Sequence, residues 1–434
     1  MTQQLERPSG VSVRPPLPHV ERSGFEVLSE EERAVQDAMH RFARDVMRPA
    51  GVALDRLTAE AAVAPDSPYW EFLATAASSG IGFDSAPEGL PPQVAARLQA
   101  LVIEEFGWGD AGLAVSLAAA AFPNLMARRA GNQELIELTE GKLGAWVATQ
   151  PDRGSDATML YPGERHAATP RGNRGNLTAR ISGGDIVING QSSAWVSNGP
   201  VAQVAILTIA ADYGEGFFDD DGHPHGVEVI VPLDLPGVTQ GKPLEKIGKR
   251  PLPQGELFFD DVRVPVRYAV STADRYWRGH ADTWSTAGVA MGQLMTGLAR
   301  AALEHALRYA HERQQGGAFL ADHQMVQSRI GAMARKVETI RAVARRATEY
   351  SLMSPAKHPY YTGGSKVTCT ELAFEVASEA LQLFGGNGLT REYPMEKLFR
   401  DARAALIEDG ENHLLNMKFG YLTAQLYRDG RLGA

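Results

Sequence analysis

The sequence contains one thiol that could act as a nucleophile. Cys369 is the only cysteine. A chain with one cysteine forms no intramolecular disulfide, which fits a reducing compartment, and we predict a cytoplasmic protein. Residues 366–372 around this thiol follow an amphipathic helical pattern, which favours a structural thiol over a nucleophile. The sequence contains no G-x-S-x-G segment, so a serine hydrolase of that type is not predicted.

Carboxylates and imidazoles are concentrated at residues 219–225, where the composition is similar to that of a metal site. Their spacing matches neither zinc ligands nor the EF-hand loop. Gly222 and Pro224 within the run are turn residues. We therefore predict a solvated hairpin loop here and no metal site.

Residues 385–388, with the sequence Gly-Gly-Asn-Gly, have the composition of a phosphate-binding loop. The dinucleotide-binding fingerprint requires a strand before its glycines, whereas these glycines follow a helical pattern. The local pattern alone therefore predicts a helix C-terminal cap.

The spacing of apolar residues divides the chain into three parts. Helical spacing dominates residues 26–145, short strand-like runs with turn residues between them dominate residues 146–266, and helical spacing returns over residues 275–434. Residues 1–25 are polar and contain prolines, which predicts a flexible arm. We therefore predict an α+β protein in which a β-domain lies between two helical domains.

Three local signals refine this division. Ser29 and Glu32 have the spacing of a capping box at the start of the first helix. Pro49 follows that helical run and is expected to end the helix. Gly363 and Gly364 interrupt the last helical region and are expected to form a turn between helices.

Charge and hydropathy exclude some classes of partner. The net charge of the chain is −9, whereas nucleic acids and anionic membrane surfaces select an excess of Lys and Arg. No run approaches the roughly 20 apolar residues that a membrane span requires, and the N-terminus has no apolar signal region. We predict neither nucleic-acid binding nor membrane insertion.

Five segments, in order along the chain, resemble motifs of the acyl-CoA dehydrogenase family. The family's T-E-P-x-x-G-S-D loop is matched by residues 149–156, and its W-[IV]-[TS]-N-G strand by residues 195–199. Its K-x-G-x-R and F-x-D-V-x-V-P segment is matched by residues 246–265, and its R-x-x-x-G stretch with the following glutamine by residues 313–324. Its Q-x-x-G-G-x-G, E-Y-P and R-D-A-[KR] signature is matched by residues 382–403. The resemblance implies an N-terminal helical domain, a central β-barrel or sandwich, a C-terminal four-helix bundle, and FAD as the cofactor.

The resemblance also assigns roles to individual residues. One group is implied to line the isoalloxazine ring, where hydroxyl and N–H donors stabilise charge on reduced flavin. A second group is implied to contact the FAD of a neighbouring subunit, which makes the enzyme a homotetramer or homodimer. The first group is Thr149, Gly154, Ser155, Trp195 and Ser197, and the second is Arg313, Gln382, Gly385 and Gly386. Gln324 is a further implied cofactor-binding residue.

The family's catalytic base is a glutamate nine residues after the arginine of R-D-A-K. The matching residue here is Asp409, a shorter carboxylate, with Glu408 as the adjacent alternative. Some members place the base near the start of the C-terminal domain, but the matching residues 285–290 contain no acid. The resemblance therefore assigns the base to Asp409.

The implied reaction is α,β-dehydrogenation of an acyl-CoA or acyl-carrier thioester, as in fatty acid or acyl-CoA metabolism. Asp409 removes the α-proton while a hydride leaves the β-carbon for flavin N5. Electrons then pass to an electron-transferring flavoprotein or to oxygen.

Two other functions stay open. Residues 409–412, Asp-Gly-Glu-Asn, resemble the D-G-x-N pattern of nitroalkane oxidases, which share the fold, use an aspartate base and carry a serine at the Ser197 position. Against this function, the basic partner expected seven residues after the base falls at Asn416, which is not basic. A non-catalytic relative that keeps the fold and FAD is the third possibility.

An insertion at residues 160–175 follows the T-E-P-like loop. It contains Arg165, His166, Arg171 and Arg174. These basic residues have the composition of a collar for a CoA or carrier phosphate, or for a substrate carboxylate, and a solvated loop is the alternative interpretation. Arg250 is a further candidate substrate-binding residue.

Overall fold

The computed structural model describes residues 22–83, 89–155, 174–220, 222, 224–354 and 358–432. Most of the predicted arm, residues 1–21, and two residues of the predicted hairpin loop, Asp221 and His223, lie outside the described residues. Residues 22–25 are described, and Ser23 among them is fully buried. The Arg22 carbonyl accepts a hydrogen bond from Arg341 Nη2 at 3.2 Å, which ties this end to the C-terminal helices.

The described part of the first 139 residues is helical. Most of these helices begin at a polar residue whose side chain accepts a hydrogen bond from the first turn, as Asp110 does from Leu113 at 2.9 Å. The helices are α1 (Glu30–Phe42), α2 (Arg48–Asp55), α3 (Ala59–Ala62), α4 (Pro68–Ser78), α5 (Pro92–Gly109), α6 (Ala111–Ala130) and α7 (Gln133–Thr139).

The capping box predicted at Ser29 and Glu32 is confirmed. The Glu32 N–H donates to Ser29 Oγ at 3.2 Å, and the Ser29 N–H donates to Glu32 Oε2 at 2.8 Å. The prediction that Pro49 ends the helix is wrong. One π-helical turn, Ala43–Met47, joins α1 to α2, and Pro49 lies in the first turn of α2. Proline is tolerated in a first turn because the N–H that it lacks has no obligatory partner there.

Eight strands form one mixed sheet in the centre of the chain. They are β1 (Gly144–Val147), β2 (Thr178–Ser182), β3 (Asp185–Gln191), β4 (Val204–Asp212), β5 (Gly226–Pro232), β6 (Val238–Gln240), β7 (Leu257–Pro265) and β8 (Ala269–Thr272). Their order is β6-β7-β3-β2-β4-β5-β8, and β1 pairs with β4. The β1–β4 and β2–β4 pairs are parallel, and the other neighbouring pairs are antiparallel.

The sheet is covered on both faces, which explains why β4 reads as a continuous apolar run instead of alternating. Every residue of β4 except Asp212 is buried. On one face, residues such as Leu207 pack against buried side chains of the other strands. The other face, including Ile206, packs against Phe122 and Met126 of α6. Helix α6 thereby holds the helical N-terminal region against the sheet.

Long helices follow the sheet, so the predicted α+β order of helices, sheet and helices is confirmed. Helix α8 spans 37 residues and packs against α5, α9 and α10. These C-terminal elements are α8 (Tyr276–Glu312), the short hairpin of β9 (Gln314–Gln315) and β10 (Ala318–Phe319), α9 (Gln324–Met353), α10 (Pro359–Phe384), α11 (Met395–Ala404) and α12 (Asn412–Arg428).

The turn predicted at Gly363 and Gly364 is wrong, because both glycines lie inside α10. A Cβ on Gly364 would lie 3.0 Å from the Phe419 ring, and one on Gly363 would lie 3.4 Å from Leu415. The contact at Gly364 would be tighter than side chains normally make, whereas the contact at Gly363 would be an ordinary one, so Gly364 lets α12 approach α10 closely. Close helix packing, and not a chain reversal, accounts for Gly364.

Within the described residues, α6 is the helix whose length and apolar composition would suffice to cross a membrane. Of its most apolar 18-residue window, 56% is buried inside the protein. Its contacts with the sheet, described above, account for this apolar surface.

A buried cluster of charges joins four helices. Glu104 and Glu105 of α5 have fully buried side chains. Glu104 accepts from Arg300 of α8 at 3.0 Å, and from Arg341 and Arg345 of α9 at 3.0 and 2.9 Å. Glu105 accepts from Arg300 as well and lies 2.8 Å from His40 Nδ1 of α1. The described charges of this cluster are therefore paired, although Arg300 Nε has no hydrogen-bond partner among the described residues.

This cluster predicts a specific acid sensitivity. Burial by itself raises the pKa of Glu104, but the guanidinium groups of Arg341, Arg345 and Arg300 outweigh it and lower the pKa from 4.5 to about 2. Because the folded-state pKa is lowered, the ionised carboxylate stabilises the protein fully above pH ~4.5, and that stabilisation is lost as the pH falls through about 2. Glu104→Gln should therefore lower the urea midpoint strongly at pH 7 and progressively less towards pH 3.

The matched control is Glu379→Gln on α10, whose side chain is 42% exposed and pairs with Arg329 at the surface. Surface pairs contribute about 0–1 kcal/mol, so this variant should keep the wild-type midpoint at every pH. A Glu104→Gln deficit that does not change with pH would contradict the assignment of the acid sensitivity to Glu104.

Candidate active site

A cavity of about 770 Å³ lies where the sheet meets α6, α8 and the turn after α11. Its walls come from segments that are far apart in sequence: residues 115–122 of α6, the loop after β1, residues 191–197, residues 246–256, residues 284–294 of α8 and residues 404–410. The cavity is thus formed by all three parts of the chain.

The five residues implied to line the isoalloxazine ring all lie in the wall of this cavity: Thr149, Gly154, Ser155, Trp195 and Ser197. Thr149 Oγ1 is 2.7 Å from Ser193 Oγ. The Trp195 side chain is 61% exposed, so a flat aromatic surface faces open space. Hydroxyl groups and an uncovered indole ring suit a planar heterocycle with polar edges.

Asp409 lies in the same wall, in the turn between α11 and α12. Its φ is +51°, in the left-handed region. Among the described residues, neither its backbone N–H nor its carboxylate has a hydrogen-bond partner. Ser155 Oγ accepts a hydrogen bond from the Glu411 N–H at 3.1 Å, which joins this turn to the loop after β1. The carboxylate is therefore held beside the predicted flavin-lining loop and is free to accept a proton.

Glu408 also lines the cavity but is already engaged. Its carboxylate forms an ion pair with Lys249, whose side chain is fully buried. The Lys249 backbone N–H is in turn hydrogen-bonded to Asp401 of α11. A carboxylate neutralised by a buried ammonium is a weaker proton acceptor than an unpaired one, so the geometry favours Asp409 over Glu408 as a base.

The environment of Asp409 suits a base near neutral pH. Burial and the neighbouring Glu408 carboxylate raise the pKa of Asp409 from 3.8 to about 6, against the opposing positive charges of Lys249 and Lys366. A general base works best when its pKa lies near the operating pH. Asp409 therefore accepts protons more readily than an ordinary aspartate while it stays ionised at pH 7.

A second concavity of about 640 Å³ lies at the other end of α8. It brings together four of the other five residues implied to bind the cofactor: Arg313, Gln324, Gly385 and Gly386. The fifth, Gln382, is exposed but does not line this concavity. In the part of the chain that is described, the two concavities share no lining residue. The implied cofactor contacts thus fall into two spatially separate groups.

The predicted substrate-binding arginines are not brought together by the described structure. Arg250 donates to the Asp55 and Leu57 carbonyls at 3.0 and 2.7 Å, which joins its loop to the end of α2, and it does not line the cavity. Arg174 is exposed, with its guanidinium 4.4 Å from the centroid of the Phe217 ring. Arg165 and Arg171 lie outside the described residues.

Two features of the site were not predicted from the sequence. The first is the pair of fully buried lysines whose charges act on Asp409, namely Lys249 and Lys366. Lys366 lies three residues before the buried Cys369 on the helical stripe of α10, and a lysine in an apolar stripe is a signal that could have revealed it.

The second unpredicted feature is an aromatic wall made of Phe122, Trp146 and Trp284, which line the cavity side by side. Ring centroids are 5.1 Å apart for Phe122 and Trp146, and 5.0 Å apart for Trp146 and Trp284. These residues come from three elements, and no local pattern in the sequence connects them.

The residues present fit FAD. The cavity offers hydroxyl groups and the exposed Trp195 ring, as described above. The second concavity offers the exposed Arg313, whose guanidinium has no hydrogen-bond partner among the described residues, and a glycine turn where added Cβ atoms at Gly385 and Gly386 would meet open space. A guanidinium beside accessible backbone suits a pyrophosphate.

Family models support the same conclusion. The model of the acyl-CoA dehydrogenase middle domain matches residues 145–262, and that of the acyl-CoA dehydrogenase C-terminal domain matches residues 285–418. These ranges contain most of the sheet and most of the C-terminal helices. Fold, site and family models together define an FAD-dependent oxidoreductase that acts on CH–CH donors.

Curated relatives then identify the family. The chain is 30% identical over 330 residues to cyclohex-1-ene-1-carbonyl-CoA dehydrogenase of Syntrophus aciditrophicus, covering 74% of each protein. It is 29% identical over 403 residues to benzylmalonyl-CoA dehydrogenase of Aromatoleum aromaticum, covering 90% of this chain and 97% of the relative. The chain belongs to the acyl-CoA dehydrogenase family, whose members dehydrogenate CoA thioesters and bind FAD.

Solved structures agree on the fold. A glutaryl-coenzyme A dehydrogenase in complex with glutaryl-CoA superimposes with a TM-score of 0.77 at 24% identity, over 94% of this chain and 97% of that one. The predicted acyl-CoA dehydrogenase fold is therefore confirmed.

Proposed function

We propose that this protein is an FAD-dependent dehydrogenase of acyl thioesters in which Asp409 is the catalytic base. The observation that carries the proposal is the state of Asp409. Its N–H and its carboxylate both lack partners among the described residues, in a cavity that also holds the predicted flavin-lining side chains. A free N–H and a free carboxylate on one residue match a substrate that presents a carbonyl oxygen and an acidic α-carbon side by side.

Each of these residues has a separate role in the proposed reaction. The Asp409 N–H donates to the thioester carbonyl, which lowers the energy of the enolate that forms when the α-proton leaves. The Asp409 carboxylate takes that proton. FAD, when bound, supplies the acceptor for the hydride from the β-carbon. The hydroxyl groups of Thr149 and Ser197 bind and orient the cofactor from the wall of the cavity.

The aromatic wall supports a ring-bearing acyl group as the substrate. Phe122, Trp146 and Trp284 present a continuous aromatic surface, as their ring distances show. Aromatic contacts contribute about 0.5–1.5 kcal/mol beyond the burial of area. The same cavity is lined by alanines of α6 and α8, which leave it wide: Ala118, Ala119, Ala287 and Ala290. The names of two relatives, which act on benzylmalonyl-CoA and cyclohex-1-ene-1-carbonyl-CoA, agree with this proposal.

Anaerobic bleaching of the bound flavin tests the proposal. The panel contains cyclohexanecarbonyl-CoA and 3-phenylpropanoyl-CoA as ring thioesters, butanoyl-CoA and octanoyl-CoA as straight-chain thioesters, and nitroethane. Bleaching by thioesters supports the dehydrogenase. Bleaching by nitroethane alone, with peroxide on aeration, would favour the nitroalkane oxidase alternative. No bleaching by any compound, with FAD bound, would favour a non-catalytic relative.

A variant of the aromatic wall tests the acyl group separately. Trp284→Leu should lower kcat/KM for the ring thioesters about tenfold, because about 1.4 kcal/mol of aromatic contact is lost, and should change that for butanoyl-CoA little. The control is Trp277→Leu on the same helix, since Trp277 does not line the cavity. An equal loss for both thioester types would contradict selection by the wall.

We also propose that the second concavity binds the pyrophosphate of FAD held mainly by a neighbouring subunit of a homotetramer or homodimer. Arg313→Ala should weaken FAD binding about 10- to 100-fold, because a charged hydrogen bond contributes about 1.5–3 kcal/mol. Fluorescence titration of the apoprotein with FAD measures the loss. Arg335→Ala, an exposed arginine of α9, is the control, and equal affinities in the two variants would contradict the role of Arg313.

The electron acceptor is proposed to be an electron-transferring flavoprotein. Reoxidation of the bleached enzyme by air compared with reoxidation by such a flavoprotein distinguishes it from oxygen.

A further inference from the structure

Lys366 is buried in the N-terminal third of α10 and bonds to the turn that carries Asp409. Its side chain is fully buried. Its ammonium donates to the Gly410 carbonyl and to Asn412 Oδ1, both at 2.7 Å. Asn412 is fixed in turn, because its Nδ2 donates to Thr370 Oγ1 at 3.0 Å. One lysine therefore bonds to the turn immediately after Asp409 and to the first residue of α12.

Both of these hydrogen-bond acceptors are neutral, so they satisfy the donors of Lys366 but do not neutralise its charge. Burying a charge without an opposite charge is costly. Burial lowers the pKa of Lys366 to about 8, and Asp409 is the largest opposing influence, ahead of Glu408. The Asp409 carboxylate therefore offsets this positive charge more than any other acid does, without a direct ion pair to Lys366.

The charged groups that act on Asp409 come from three elements. Lys366 contributes a positive charge from α10, Lys249 contributes one from the loop before β7, and Glu408 contributes a negative charge from the same turn. Glu408 also holds Lys249 in an ion pair. The lysines favour the ionised form of Asp409, whereas Glu408 opposes it.

We propose that Lys366 is a positioning residue for the base: it fixes the turn that carries Asp409 and supplies the positive charge that keeps the carboxylate ionised. Glu408 has the opposite effect and favours the protonated form of Asp409. This inference rests on the proposed role of Asp409. If Lys366 only stabilised the packing of α10 against α12, its loss would lower stability but would leave the proton affinity of Asp409 unchanged.

Two substitutions that should shift the apparent pKa of Asp409 in opposite directions test the proposal. Lys366→Met removes a positive charge, so the apparent pKa in the pH profile of flavin reduction should rise, with about a tenfold lower rate below the wild-type pKa for each unit of rise. Glu408→Gln removes a negative charge and releases Lys249, so the apparent pKa should fall. Lys336→Met, on the partly exposed lysine that pairs with Glu375 at 2.6 Å, should leave the profile unchanged.

A second readout does not depend on turnover. Ionisation of a carboxylate beside the flavin perturbs its visible absorption, so the substrate-free holoenzyme is titrated with acid and base. The spectral pKa should move in the same two directions and should be missing in Asp409→Asn. Unmoved profiles in both variants would overturn the inference. If Lys366→Met fails to fold, an unmoved Glu408→Gln profile overturns it alone.

The outcomes for the two proposals are distinguishable. If no acyl thioester bleaches the wild-type flavin, the proposed function fails. If thioesters bleach it normally but neither variant shifts the kinetic or the spectral pKa, only the role of Lys366 fails.

Discussion

Replacing Asp409 by asparagine should abolish reduction of the flavin by acyl thioesters while FAD stays bound. Asparagine keeps the size of the side chain and also tolerates the left-handed backbone at this position, where φ is +51°. It removes only the ability to accept the α-proton. General-base catalysis contributes about 10²–10⁴-fold, and we expect a loss at the upper end of that range because the described cavity offers no second unpaired carboxylate at this turn.

Anaerobic stopped-flow absorbance measures the reduction, and release of flavin on denaturation measures the FAD content. Glu408→Gln is the matched control, since it changes the adjacent carboxylate in the same turn and should still be reduced at a rate within about tenfold of the wild type at its own optimal pH. Normal reduction of Asp409→Asn, or loss of reduction in Glu408→Gln alone, would move the base to Glu408.

Replacing Arg300 by methionine should lower the free energy of unfolding more than any of the other substitutions predicted above. Arg300 donates to both Glu104 and Glu105, and its side chain is only 5% exposed. Methionine fills part of the volume but leaves two buried carboxylates with fewer opposite charges. Removing one partner of a buried ion pair costs about 3–5 kcal/mol. The thermal and urea midpoints of the holoenzyme should both fall markedly.

The control is Arg329→Met, since Arg329 is 39% exposed and pairs with Glu379 at 3.4 Å on the surface. Its midpoints should stay within experimental error of the wild type, because exposed pairs contribute about 0–1 kcal/mol. Equal midpoints for Arg300→Met and Arg329→Met would mean that the buried cluster is not a main source of stability.

The order of elements was predictable because the relevant signals are local. Each of these signals depends on residues that are close together in sequence: the capping box at Ser29, the apolar run of β4 and the helical stripes. The family motifs were similarly local, and they predicted the fold and FAD correctly. The proposed role of Asp409 came from its distance along the chain from Arg400 and stays a prediction.

The errors have two physical causes, the tolerance of proline in a first helical turn and the close packing of two helices. Pro49 and Gly363 look like breaks when only their neighbours in sequence are considered. The structure places Pro49 in a first helical turn and Gly363 where α12 approaches α10. The aromatic wall joins residues that are far apart in sequence, and so do the contacts of Lys366 with Gly410 and Asn412. The spacing of residue types along the sequence therefore cannot reveal them.

The left-handed backbone at Asp409 restricts what selection can try at this position. Only Gly, Asn and Asp adopt that conformation routinely, and other residues cost about 1–2 kcal/mol there. Of these three, only Asp has a carboxylate that can take a proton. A saturation library at position 409 should therefore fold best with Gly, Asn or Asp, and of these three only Asp should reduce the flavin.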